Sequence, residues 1–347
     1  MTWIKRVFVA ILFVVMVVIV LIPLSYSLRP LELGNGDTRR RIAGFYAEED
    51  NSIEVVVVGG SGVYRYVNNP YLWKSERITS YNLGFSALSI YLLEDLVDEL
   101  CKTQTPKVVI VDARKFLLTE TEEIDDVKAQ RVINNVKYSW ERCRMINKVY
   151  SAPIDRFNNY FDIILYHSNY AKFSRENLQY LDNENPNPLK GFEPVDKVVN
   201  LEYIDVTEVT GEEPLSEPSE RALRSLLEKC QKENVEIMLL STPWQITEEY
   251  QKRSNYLKDI VDEYGFHYLD MNAVVDEVVA QEGLDWSTDF YDDRHVNVYG
   301  SEKVTAYVGR YLREHYQFDE DYDETLLESW DKALERYEKE LIEFGDK

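Results

Sequence analysis

A single serine lies in a glycine-rich segment directly after a short run of β-branched residues. The run Val55–Val58 is followed by Gly-Gly-Ser-Gly, in which the serine is Ser61. Four such residues are typical of a strand that a parallel sheet buries on both faces, and the glycines allow a sharp turn beyond it. A serine hydroxyl is a weak nucleophile until a base takes its proton. Nucleophilic chemistry at Ser61 therefore requires a histidine from elsewhere in the chain.

One of the four histidines has a carboxylate at a useful spacing. His295 lies in the polar segment DDRHVNVYG, three residues after Asp292 and ahead of a predicted helix. In a tight turn this spacing lets the carboxylate accept the imidazole Nδ1–H and direct Nε2 towards a serine. A solvated loop with a helix-capping aspartate is the alternative. We expect His267 and His315 to be structural or on the surface, and His167 to border a substrate cleft or to pack.

The sequence gives little support for a glycine-rich phosphate-binding loop or for a metal site. Neither a Gly-Lys-Ser/Thr phosphate loop nor GxGxxG follows the first strand. The three cysteines, Cys101, Cys143 and Cys230, lack metal-ligand spacing, so we expect no metal and no cofactor. The formal net charge of −23 disfavours a nucleic-acid partner.

The N-terminal segment is long and apolar enough to cross a membrane. Eighteen uncharged residues, Val7–Leu24, follow a lysine and an arginine. The cationic flank is expected on the cytoplasmic side, which places the remaining chain outside the cell membrane. We predict a single-pass anchor over 1–27 and a linker over 28–52. A cleaved signal peptide is the alternative, because small residues near the end of the segment offer a weak cleavage site.

Strands and helices alternate through most of the remaining chain. Five short apolar runs predict strands, at 55–58, 78–84, 107–113, 236–242 and 266–271. Helical spacing between these runs predicts βαβ units, and thus a parallel sheet with helices on both faces.

Two segments depart from this alternation. Residues 119–213 are polar, aromatic-rich and punctuated by Asn and Pro, and they predict an inserted helical cap. Residues 323–345 have apolar side chains at steps of three and four, which predicts an amphipathic helix with an acidic outer face. Residues 53–347 therefore form one α/β domain with an insertion.

Three segments together resemble the SGNH hydrolases, also called the GDSL-like family. They are GGSG after the first strand, NLG after the second, and DDRHVN before the last core helix. The resemblance implies a flavodoxin-like three-layer sandwich with a parallel sheet of about five strands. It also implies Ser61 as nucleophile, His295 as base and Asp292 as its partner. The amides of Ser61 and Gly84, with Asn82, would form the oxyanion hole. The segment that normally adds an asparagine after the third strand reads VDARKF, so the third donor stays open.

A narrower similarity joins the membrane segment to GSGVYR, YNLG, PKVVIVDAR and DxRHVNxYGxxKxTxY. This combination is similar to membrane-anchored SGNH proteins of Gram-positive bacteria, related to the D-alanyl-transfer protein of teichoic acid modification and to surface-polysaccharide O-acetyltransferases. It implies an extracytoplasmic serine O-acyl esterase or acyltransferase that acts on a cell-surface glycan or teichoic-acid-like polymer, with a membrane acyl-donor protein as a further partner. Candidate substrate-binding residues are Arg65, Arg114, Trp244 and His167. The alternative is a non-catalytic assembly or binding protein of the cell envelope, which the departure after the third strand and the large insertion would explain.

Overall fold

A five-stranded parallel sheet forms the centre of the chain. The computed structural model describes residues 3–30, 37–118, 124–175, 177–178 and 187–345. The strands are β1 (Val55–Gly59), β2 (Ser80–Gly84), β3 (Val108–Asp112), β4 (Ile237–Ser241) and β5 (His267–Asp270). Their order is β2-β1-β3-β4-β5 with every neighbouring pair parallel, which is the flavodoxin-like order. Each strand overlaps a predicted run, so the predicted α/β class and strand number are confirmed.

Helices and one hairpin surround this sheet. The α-helices of the described residues are α1 (Trp3–Leu28), α2 (Asp37–Phe45), α3 (Ser61–Tyr66), α4 (Asn69–Glu76), α5 (Leu93–Leu100), α6 (Arg114–Leu117), α7 (Asp126–Ile133), α8 (Trp140–Val149), α9 (Pro153–Tyr160), α10 (Ile163–Tyr166), α11 (Glu217–Glu233), α12 (Glu248–Glu263), α13 (Val275–Glu282), α14 (Val298–His315) and α15 (Glu324–Gly345). Short 3-10 helices span Ile90–Leu92 and His167–Lys172. An antiparallel hairpin joins β6 (Phe290–Asp292) to β7 (His295–Val296).

Alternate side chains of each central strand enter opposite cores. In β1, Val56 and Val58 belong to one buried cluster, and Val55 and Val57 belong to the other. The first cluster packs the sheet against α5, α11 and α12, and the second packs it against α4, α13 and α14. This two-sided burial explains why the predicted strands are continuously apolar, and it produces the expected three layers.

α1 is the one helix of the described ranges that is long and apolar enough to span a membrane. Its apolar side chains are exposed as far as Leu24. Its last turn is different, because Ser25, Ser27 and Leu28 are buried against the folded domain.

The predicted linker over 28–52 does not describe residues 37–45. α2 occupies this stretch and packs against the edge strand β2. It buries Ile42 and Phe45 together with the side chain of Arg41. These residues therefore belong to the folded domain.

The insertion at 119–213 has two parts. The helical part, α7 to α10 with the 3-10 helix His167–Lys172, packs on α5 and on the end of α1. An extended part follows from residue 187, where Val199 N donates to Phe290 O (2.8 Å) and Leu201 N donates to Trp286 O (3.0 Å). At the chain's other end, α15 coincides with the predicted amphipathic helix at 323–345 and buries Trp330 and Tyr337.

Candidate active site

Ser61 is the first residue of α3, immediately beyond the carboxyl end of β1. Gly59, two residues before Ser61, has to be a glycine because β3 lies very close to it. A Cβ on Gly59 would lie 2.3 Å from the Cβ of Asp112. The N–H of Gly60 donates to Asp112 Oδ2 (3.3 Å). A carboxylate of the neighbouring strand thus holds the turn that presents Ser61 at the edge of the sheet.

His295 meets Ser61 across 234 residues of sequence. Ser61 Oγ lies 2.8 Å from His295 Nε2. His295 Nδ1 lies 3.0 and 3.1 Å from the two carboxylate oxygens of Asp292. With the proton on Nδ1, the ring donates to Asp292 and its Nε2 accepts from the serine hydroxyl. The structure thus brings Ser61, His295 and Asp292 together, each within hydrogen-bond distance of the next.

The segment DDRHVN folds into a tight turn that is fixed by its own side chains. Asp292 Oδ1 accepts from Arg294 N (2.8 Å), which closes the turn between β6 and β7. Asn297 caps α14 by accepting from the N–H groups of Tyr299 and Gly300 (3.1 Å each). The motif therefore specifies both the turn that carries the histidine and the start of the helix behind it.

Two residues from other elements hold the histidine turn in place. The carbonyl of Arg294 accepts from Tyr66 Oη (2.8 Å) and from Arg114 Nη1 (3.1 Å). The ring of Tyr291 stacks on that of His295, with 5.4 Å between centroids and 10° between planes. The imidazole therefore has a fixed backbone and a fixed ring plane.

Arg114 is buried and lies directly against the helix that starts at Ser61. Its Nε donates to Asp112 Oδ1 (3.3 Å). A Cβ on Gly62 would be only 1.4 Å from Arg114 Nη2. A side chain at the second glycine of the GSG segment would therefore displace this guanidinium group, a contact that sequence reasoning missed.

The surroundings of His295 favour its neutral form. Burial lowers the pKa of His295, and the positive charge of Arg114 lowers it further, while Asp292 opposes the shift. Arg114 itself remains charged, because Asp112 and nearby tyrosines more than offset the effect of burial and raise its pKa. A neutral imidazole with Nε2 towards a hydroxyl is the state that a general base requires.

A cavity of about 220 Å³ opens beside Ser61. Its lining residues are Gly60, Ser61, Ser86, Ala87, Asp112, Arg114, Lys115, Leu118, Trp244, Arg294 and His295. Three of them are basic, although the chain as a whole is strongly acidic. Trp244 and Arg114 therefore lie where substrate-binding residues were expected.

The turn after β2 supplies a residue that sequence reasoning missed. Ala87 lines the cavity with a left-handed backbone (φ 56°). A hydrogen bond from Leu88 N to Phe85 O (3.2 Å) closes the turn around it. Alanine has no preference for this conformation, so no sequence signal marks the position.

Gly84 and Asn82, the other predicted oxyanion-hole residues, do not line this cavity. The carbonyl of Gly84 accepts from Arg41. Asn82 is buried, its Nδ2 donates to Val67 O (2.6 Å), and its backbone N–H donates to Lys190 O (3.1 Å). These contacts place both residues in the edge strand β2, where Gly84 pairs with Gly59 of β1, and the role of the Gly84 N–H stays a prediction.

Arg65 and His167 also lie away from the cavity. Arg65 pairs with Glu193, donating to its carbonyl (2.7 Å) and lying 3.2 Å from its carboxylate. His167 is exposed near the end of α1, and its Nδ1 lies 2.9 Å from Ile164 O. None of the described residues of the insertion 119–213 lines the cavity, so the predicted cap over the site is not seen in that part of the chain. Among the described residues, no group of three or more His, Cys, Asp or Glu side chains is placed to hold a metal ion.

Comparisons with known proteins give a distant structural likeness. The chain matches no protein-family model and none of the curated proteins. A crystal structure from Parabacteroides merdae, provisionally named a GDSL-like lipase, is similar with a TM-score of 0.36 and 12% sequence identity. The similarity covers 76% of this chain and 97% of that chain. A likeness of this size assigns neither family nor activity, so the chemistry has to follow from the side chains around Ser61.

Proposed function

We propose that this chain is a serine-dependent O-acyl esterase or acyltransferase. The observation that carries the proposal is the hydrogen-bonded series Ser61–His295–Asp292 at the mouth of a cavity. Each member has the partner that its role needs. Ser61 has a neutral base in His295, and His295 has a carboxylate, Asp292, that fixes its tautomer.

The proposed reaction has two halves. Ser61 Oγ attacks the ester carbonyl carbon while His295 Nε2 takes the hydroxyl proton. The tetrahedral intermediate then collapses, the C–O bond to the leaving alcohol breaks, and His295 returns the proton to that oxygen. In the second half, His295 removes a proton from water or from an acceptor hydroxyl, which attacks the acyl-serine. Water gives an esterase, and a sugar or polyol hydroxyl gives a transferase.

The oxyanion needs donors that face the cavity. The N–H of Ser61 lies in the first turn of α3, where backbone N–H groups have no intrahelical acceptor. We assign the second donor to the N–H of Ala87, in place of Gly84 and Asn82, since the Ala87 turn lines the cavity. One such donor is commonly worth about 3 kcal/mol of transition-state stabilisation.

The cavity favours a short acyl group on a negatively charged acceptor. Its volume is small, and Trp244 and Leu118 provide apolar surface for the acyl chain. Three cationic side chains, Arg114, Lys115 and Arg294, line it against one carboxylate, Asp112, and this excess of positive charge would attract a phosphate- or carboxylate-bearing polymer to an otherwise acidic protein. A cell-surface glycan or teichoic-acid-like polymer meets this description, and a membrane acyl-donor protein would serve the transfer reaction.

We further propose that α1 is a retained single-pass anchor with the α/β domain on the extracytoplasmic side. Lys5 and Arg6 precede the apolar stretch, which favours a cytoplasmic N-terminus. Ser25 and Ser27, the small residues of the alternative cleavage site, are helical and buried against the domain. A signal peptidase would need this segment extended and accessible.

The test is Ser61→Ala in the full chain, purified in detergent. The full chain is needed because residues 25–28 are packed into the domain. We expect hydrolysis of p-nitrophenyl acetate to fall at least about 10³-fold and labelling by a fluorophosphonate probe to disappear. The matched control is Ser86→Ala, which removes a cavity-lining hydroxyl that does not contact His295. Unchanged hydrolysis and labelling in Ser61→Ala would leave a non-catalytic envelope protein as the remaining interpretation.

A further inference from the structure

Large apolar side chains form an exposed stripe on the helical insertion. Ile154, Phe157 and Phe161 follow one another at steps of three and four along α9 and its end. They are 62%, 49% and 53% exposed, and the rings of Phe157 and Phe161 lie 5.0 Å apart. Ile164 on α10 and Phe173 just beyond the next 3-10 helix are exposed as well. Single exposed apolar residues are ordinary, but a contiguous group marks a contact surface.

This stripe is attached to the point where α1 leaves the domain. α10 and the following 3-10 helix pack against α1. Asn169 Nδ2 donates to Leu28 O (3.0 Å). Asp162, the residue after Phe161, is fully buried and paired with Arg29, the residue after α1. The stripe and the outer end of α1 therefore form one rigid unit.

The charge around the stripe differs from that of the rest of the chain. Residues 150–175 contain two acidic and three basic side chains, whereas the full chain has a net charge of −23. One of the two acidic residues, Asp162, is buried against Arg29 and Arg142. Lys172 is exposed and directly precedes Phe173, and Asp155, next to Ile154, is the one exposed carboxylate of this stretch. An apolar row with a basic flank is the composition of helices that lie in the lipid headgroup region.

We infer that the stripe Ile154–Phe157–Phe161 is a second membrane contact, seated in the headgroup region of the bilayer that α1 crosses. The inference rests on the proposed anchor. A single spanning helix can still tilt in the bilayer from its base at the domain, and the docked domain would tilt with it. A second contact beside that base would fix the tilt, and with it the height of the Ser61 cavity above the lipid.

The experiment places a nitroxide spin label in the full chain, reconstituted in phospholipid nanodiscs, with the three native cysteines replaced. Ile154→Cys reports on the stripe. Ile342→Cys on α15 is the matched control, since Ile342 is also an isoleucine and is 66% exposed. Val14→Cys reports on the middle of α1. We expect the ratio of collisions with oxygen to collisions with a water-soluble nickel chelate to be highest at Val14, intermediate at Ile154 and several-fold lower at Ile342 than at Ile154. Phe157→Cys should repeat the result for Ile154.

Three other results overturn the inference in different ways. A water-exposed label at Ile154 with a lipid-exposed label at Val14 would remove the second contact and leave the anchor. Water exposure at both positions would remove the anchor too. A label at Ile154 shielded from both reagents would show that protein covers the stripe, and spin–spin broadening would identify a second copy of the chain.

Discussion

Arg114 connects three parts of the site through one guanidinium group. It pairs with Asp112 behind the nucleophile turn, and it donates to the carbonyl of Arg294 in the histidine turn. Its charge also helps to lower the pKa of His295. Arg114 is therefore expected to be a positioning residue that tunes the base.

Replacing Arg114 with Met should move the acid limb of activity to higher pH. The imidazole must be neutral to take the proton from Ser61, and the lowered pKa of His295 keeps it neutral into mildly acidic solution. Removing a nearby positive charge raises that pKa, so the variant loses activity first on the acidic side. The measurement is log(kcat/KM) for p-nitrophenyl acetate against pH. Arg294→Met is the control, because the Arg294 guanidinium also borders the cavity but is exposed. Superimposable acid limbs for wild type and Arg114→Met would contradict the prediction.

We expect the carboxylate of Asp292 to support catalysis through its contact with the ring of His295. Asp292→Asn should lower kcat, because an amide can present its N–H to Nδ1 and favour the wrong tautomer. Comparable substitutions in Ser-His-Asp hydrolases cost about 10⁴-fold, and the partial exposure of Asp292 makes us expect a smaller loss. The control is the neighbouring Asp293→Asn, whose side chain is exposed and pairs with Arg294. Equal kcat values for the two variants would show that the carboxylate contact does not support the base.

The turns after β1 and β2 show how far the sequence predicts the elements of this site. GGSG and D-x-x-H are local patterns whose geometry follows from glycine freedom and turn spacing, so Ser61, His295 and Asp292 could be predicted. The donors that we propose for the oxyanion could not all be predicted in this way. Gly84 was predicted from the family resemblance, but a Cβ there would lie 2.7 Å from the ring of Tyr64, so packing alone accounts for the glycine. Ala87 adopts a left-handed backbone conformation, which an alanine in the sequence does not indicate.

The same distinction holds for the elements of the fold. The five strands were predictable because burial on both faces makes each one apolar in sequence. α2 could not be predicted, because its buried face includes the side chains of Arg39 and Arg41. These arginines are buried through partners that are distant in sequence, among them Glu193 for Arg41. Polar composition suggested a linker, because such long-range pairing leaves no local pattern.

At the scale of elements, the contact between α3 and Arg114 gives a direct prediction. Gly62→Ala should displace the guanidinium, since the new Cβ would fall 1.4 Å from Arg114 Nη2. The variant should therefore lose much of its kcat/KM and share the pH shift of Arg114→Met. The matched control is Gly60→Ala, whose Cβ would lie 3.3 Å from Asp112 Oδ2 and further from other atoms, so we expect a smaller loss. Full activity in Gly62→Ala would show that Arg114 can move without consequence.

At the scale of the whole molecule, one buried cluster joins α1 to the domain. The carboxylate of Asp162 is fully buried and accepts from Arg29 and from Arg142. Arg29 also donates to the carbonyl of Asn134 and lies over the ring of Tyr26. The end of α1 is thus part of the domain's structure, so the domain cannot be separated from residues 25–29 without exposing this cluster.

Asp162→Asn should lower the midpoint of thermal unfolding of the full chain in detergent. The substitution leaves two guanidinium groups buried without their counter-charge, and breaking a buried pair in this way costs about 3–5 kcal/mol. The control is Glu338→Gln, which breaks the exposed pair with Lys74 and should cost no more than about 1 kcal/mol. Deletion of residues 2–24 should leave the midpoint nearly unchanged, since the docked turn remains, whereas deletion of residues 2–29 should lower it as Asp162→Asn does. If both deletions and Asp162→Asn left the midpoint at the wild-type value, the end of α1 would not contribute to the stability of the domain. The tilt of the domain over the membrane would then have to be fixed by the apolar stripe alone.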